Sequence, residues 1–66
     1  MFEIGDLVML NKERYHKVLV DKYGIGIVIE PPQMGISYCG VYWIKTRELL
    51  HSIYKNGLIR LNECLK

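Results

Sequence analysis

The apolar residues of this chain fall in short alternating runs separated by turn residues, a pattern that predicts strands. Residues 4–10 enter through Gly5-Asp6, then set Val8 and Leu10 on one face and Leu7 and Met9 on the other. Residues 23–30 form the clearest strand, with Ile25, Ile27 and Ile29 on one face and Gly24, Gly26 and Val28 on the other. The isoleucine face is assigned to the core, and the glycines to a bend or to close approach by another strand. Pro31-Pro32 stops this strand, because neither residue can donate a ladder hydrogen bond. Residues 38–45 place Val41 and Trp43, with Cys39 before them, opposite Tyr38, Tyr42 and Ile44. Residues 49–54 are a further strand, Asn56-Gly57 is a turn signal, and residues 58–61 form a last short strand. Residues 11–22, NKERYHKVLVDK, are polar around Val18-Leu19-Val20. The segment is short and β-branched toward its end, so it reads as a long hairpin loop in preference to a helix.

Four or five short strands spaced by turns predict an all-β fold. Sixty-six residues make one domain, residues 1–66, and closure into a small antiparallel barrel removes strand edges. The expected core is Val8, Leu10, Ile25, Ile27, Ile29, Val41, Trp43, Ile53 and Leu58.

Three segments carry a family resemblance. Ile4-Gly5-Asp6-Leu7-Val8 resembles the opening strand of SH3-like, Tudor-like and KOW-type barrels. Gly24-Ile25-Gly26-Ile27-Val28-Ile29-Glu30 resembles their second strand, and Val41-Tyr42-Trp43 their third. The order of segments is also similar to small barrel proteins of tailed bacterial viruses, cyanophages among them. The resemblance implies an SH3-like barrel with a binding or assembly role, and a virus-particle (virion) component in the viral case. Proline-rich peptide binding is not carried over, because the 11–22 loop sets Lys12, Arg14, His16 and Lys17 against Glu13 and Asp21 and so lacks the acidic pattern of peptide-binding SH3 domains.

Composition narrows the chemistry. No apolar run approaches the roughly 20 residues that span a bilayer, so no membrane partner is expected. The opening Met1-Phe2-Glu3-Ile4-Gly5-Asp6 has no basic n-region, which predicts a non-secreted protein, in the host cytoplasm or an assembled particle if viral. Cys39 and Cys64 form no C-x-x-C pair and read as reduced thiols. Cys39, Cys64, His16 and His51 are the candidate nucleophiles, bases and metal ligands, and their spacing assembles neither a catalytic group nor a metal site. The expectation is therefore no enzyme, no cofactor and no metal.

The chain is 50% hydrophobic, which leaves apolar residues on both faces of several strands, beyond the needs of one small core. Leu7, Met9, Tyr38, Tyr42 and Ile44 are the candidate protein interface. The leading expectation is a non-catalytic structural or assembly module that binds protein, either itself or another component. The alternative is nucleic-acid binding. It would use Lys12, Arg14, Lys17 and Lys22 in one region and Lys45, Arg47, Lys55 and Arg60 later, with Tyr42 stacking on a base. A net charge of only +2 gives that alternative little long-range attraction.

Overall fold

The computed structural model describes residues 2–61; Cys64 lies outside them. Alternation governs the first strand, β1 (Leu7–Leu10), which buries Val8 and Leu10 and turns Leu7 outward. The chain then forms helix α1 (Lys17–Tyr23) and strands β2 (Gly26–Glu30), β3 (Tyr38–Trp43), β4 (Glu48–Tyr54) and β5 (Leu58–Arg60). A short 3₁₀ turn at Lys55–Gly57 leads into β5, and the Asn56-Gly57 signal falls within it.

The five strands make one antiparallel sheet in the order β4-β3-β2-β1-β5. This corrects the expectation of an all-β, SH3-like barrel and, with it, the likeness to Tudor-like and KOW-type barrels. The sheet ends on β4 at one side and β5 at the other, and the two edges do not pair, so it is open. The fold is mixed, with a helix packed on a sheet.

That helix lies inside the segment expected to be a loop. Seven residues cannot hold a helix alone, because nucleation is costly. Both ends are capped. His16 Nδ1 accepts from the Val18 N–H at 3.2 Å. Gly24 stops the helix at φ +62° and donates its N–H to the Val20 carbonyl at 3.0 Å. Val20 then buries in the core, and Tyr23 sets its ring 5.5 Å from that of Trp43. Tertiary burial outweighs the weak propensity of the β-branched residues.

The core comprises Val8, Leu10, Val20, Val28, Cys39, Val41, Trp43 and Leu58. Ile53 is partly buried against it. The largest departure from expectation is β2, which faces the other way. Gly26 and Val28 point inward, Ile25 is 47% exposed, and Ile27 and Ile29 are only half-buried. Trp43 and Val41 explain the inversion. A Cβ on Gly26 would stand 2.5 Å from Val41 Cγ1 and 2.7 Å from Trp43 Cε3, so the indole occupies the space that a side chain on β2 would fill.

A part-buried ion pair ties the start of β1 to β5. Asp6 is 5% exposed; its Oδ2 accepts from the Glu3 N–H at 2.8 Å and lies 2.9 Å from Arg60 Nε. Asp6→Asn keeps an acceptor for Glu3 but removes the charge facing Arg60. It should lower the unfolding free energy by about 1 kcal/mol in urea melts. An unchanged midpoint would contradict a stabilising role for this pair.

Candidate apolar docking face

The strand register brings the outward side chains together. Leu7 of β1 stands opposite Ile27 of β2, Ile27 opposite Tyr42 of β3, and Tyr42 opposite Leu49 of β4. These residues form one row on the face away from Trp43, since opposed residues point the same way. One step along the strands, Met9 is paired with Ile59. Ile25 lies on the same side of β2, and its carbonyl accepts from the Ile44 N–H at 3.2 Å. Ile59, Met9, Ile25 and Ile44 are therefore a second row beside the first. Ile25, Ile44 and Leu49 are close to half exposed. A shallow groove of about 530 Å³ runs between Leu7, Gly24, Ile25, Ile44 and Lys45.

Sequence reasoning picks Leu7, Met9, Tyr42 and Ile44 for this face but assigns Ile25 and Ile27 to the core and passes over Leu49 and Ile59. The omission of the β2 residues matters most, because Ile25 and Ile27 join the β1 residues to the β3 residues. The bulk of Trp43, opposite Gly26 of β2, is the signal that could have found them.

Tyr38, the fifth candidate, stands apart from the rows. It pairs edge-on with Tyr54 of β4, ring centres 5.9 Å apart. A polar belt lies between: Glu30 of β2 and His51 of β4 meet at 3.0 Å across β3. Gly40 makes this possible, since a Cβ there would stand 3.0 Å from Glu30 Cβ and 3.4 Å from His51 Nδ1. Register shifts in β2–β3 and β3–β4 frame the same position.

The basic candidates divide. Lys12 and Arg14 lie in the turn before α1, and Lys17 and Lys22 on α1. Lys45 and Arg47 follow β3, and the Lys45 ammonium donates to the Asp21 carbonyl in the last turn of α1 at 2.9 Å. Lys55 lies beyond the opposite end of β3, where its N–H donates to the Ser37 carbonyl. Arg60 is engaged by Asp6.

Cys39 and His51 fall on opposite sides of the sheet, Cys39 wholly buried and His51 exposed. Among the described residues no group of three or more His, Cys, Asp or Glu could hold a metal ion. No described helix is long and apolar enough to cross a membrane.

Burial pushes the Cys39 thiol above its ordinary value of 9.0, an effect that Lys55 partly offsets. Below that value the thiol is neutral in both the folded and unfolded chain and adds no pH dependence. Above it the unfolded chain ionises first, so stability falls as pH rises. Relative to Cys39→Ala, the wild type should lose stability in urea melts above pH 9.0. A constant difference between the two proteins across that range would contradict the burial of this thiol.

Compared with known proteins, the chain matches no family model, no curated protein and no solved structure. The likeness to small proteins of tailed bacterial viruses, and the particle-associated role it implied, therefore find no support and are withdrawn.

Proposed function

We propose that this chain is a non-catalytic module that binds protein through the outer face of its sheet. The observation that carries the reading is the continuity of the two apolar rows across β1, β2 and β3, reaching β4 through Leu49 and β5 through Ile59. Single exposed apolar residues are ordinary on a protein surface. Here Leu7, Ile25, Tyr42, Ile44 and Leu49 are exposed on one sheet face with the part-buried Ile27, Met9 and Ile59 among them, Met9 packing against the core, and contiguous apolar patches mark interaction sites. The rows hold no ionised side chain, as expected of the desolvated centre of a contact. Tyr42 is suited to anchor it, because its ring can be buried while its hydroxyl bonds at the rim.

Nucleic-acid binding has weaker support. Lys45 and Arg60 already have protein partners, and the remaining basic residues lie at separate places in the fold. A photo-reactive phenylalanine analogue at position 42 distinguishes the two readings. Irradiation at near-physiological salt should give a protein adduct, and Ile25→Glu should diminish it. Adducts to nucleic acid, unaffected by Ile25→Glu and lost in Lys12→Glu/Arg14→Glu, would overturn the protein-binding reading.

A further inference from the structure

A second cleft, of about 640 Å³, lies between the β2–β3 loop, the 3₁₀ turn and Phe2, and shares no residue with the apolar rows. Its volume falls within the range of small-molecule sites. The chain's own bonds fix its walls. The loop turns over residues 33–36, where Gly35 takes φ +80° and the Ile36 N–H donates to the Gln33 carbonyl at 2.9 Å. Pro31 and Pro32 stiffen the approach to that turn. The Lys55 N–H donates to the Ser37 carbonyl at 2.8 Å, which joins the loop to the 3₁₀ turn. Phe2 packs against the core, and beside it the Glu3 N–H is held by Asp6. The cleft is therefore formed before a ligand enters it, which spares binding the cost of ordering a loop.

The lining selects a ligand by charge and by surface. Met34 is wholly exposed and Ile36 half exposed, on a loop without a charged side chain, and Pro32 and Phe2 extend their apolar surface. Lys55 is the one charged residue of the lining, and among the described residues no carboxylate pairs with it. Gln33 and Asn56 add amide donors. Separately from the docking face, we propose that this cleft binds a monocarboxylate carried on an apolar body. The carboxylate is held by the Lys55 ammonium, and the body lies against Met34, Ile36 and Phe2.

One ammonium balances one negative charge. A doubly charged phosphate would find a single cation here and no guanidinium to grip it. A fully polar ligand would leave the Met34 and Ile36 surface in water. The methionine is unbranched and flexible, so this wall can follow bodies of different shape. Two sources present the required chemistry: a free acid such as a medium-chain fatty acid, and the C-terminus of a peptide that ends in an apolar residue.

Amide shifts of the labelled protein, followed as sodium octanoate is added at neutral pH, test the proposal. Octanoate should bind with a Kd of about 1 mM or below, its shifts clustered on residues 33–37, 55 and 56. Acetate has the charge without the body and should give no saturable shift. Octanamide has the body without the charge and should bind about three- to tenfold more weakly than octanoate. Lys55→Gln should weaken octanoate by the same factor and leave octanamide unchanged. Met34→Ser should weaken both about threefold. Lys55 and Met34 are exposed, and urea melts establish that both variants fold. Acetyl-alanyl-phenylalanine separates the sources: if Lys55→Gln weakens its binding, tighter binding than octanoate identifies a peptide C-terminus and weaker binding a free acid. No saturable shift with either acid up to about 10 mM would overturn the proposal. Equal binding of octanoate and octanamide, indifference to Lys55→Gln, or shifts centred on Leu7, Ile25 and Ile44 would overturn it as well.

Discussion

Trp43→Ala should lower the unfolding free energy by about 3–5 kcal/mol, a large share of what a small domain has to lose. Trp43 is wholly buried and is the largest side chain in the core. It meets Val41 around Gly26, and Tyr23 of α1 stacks on it at a tilt of 49°. Its removal would therefore open a cavity between sheet and helix and loosen α1, which depends on tertiary burial. Trp43→Phe offers a useful contrast. Among the described residues the indole Nε1 is buried without a hydrogen-bond partner, so losing that N–H offsets part of the lost packing. Its cost should be about 1–2 kcal/mol. Urea melts followed by far-UV circular dichroism report all three proteins, and a near-neutral Trp43→Ala would contradict the buried indole.

The second large effect is expected at a residue with no side chain. Gly26→Val should cost about 3 kcal/mol, because its Cβ alone would stand 2.5 Å from Val41 Cγ1 and 2.7 Å from Trp43 Cε3. Both neighbours are held in the core, so neither can swing aside. Ile25→Ala, one residue away, should cost about 1 kcal/mol or less, since Ile25 is already 47% exposed. This ordering reverses what the alternation of β2 suggests from sequence. Equal costs, or a larger one at Ile25, would place the isoleucines of β2 inside.

Much of the fold can be read from local pattern where each face has one kind of residue. Val8 and Leu10 alternate with Leu7 and Met9, Val41 and Trp43 with Tyr42, and the structure buries the first of each pair of sets. On β2 the same rule misleads, because hydrophobicity alone favours three isoleucines over two glycines and a valine. The deciding quantity is volume: Trp43 leaves no room for isoleucine opposite it, which becomes visible only once β2 and β3 are paired as Gly26 with Trp43. Helix α1 is obscured for a related reason. Val18 and Val20 disfavour a helix locally, and the caps at His16 and Gly24 and the burial of Val20 prevail over them. The open edges of the sheet depend on long-range pairing, which spacing does not encode. The candidate site was half legible. Leu7, Met9, Tyr42 and Ile44 follow from strand alternation, whereas the residues that join them across β2 depended on the inverted strand.

Amide and methyl chemical shifts, followed while the labelled protein is concentrated or its cross-linked partner is added, test the docking face most directly. The account predicts shifts clustered on Leu7, Ile25, Ile27, Tyr42 and Ile44, with Val8, Val28 and Val41 beneath them little changed. Shifts confined to the basic turn at Lys12 and Arg14, or none on the outer rows under either condition, would contradict it.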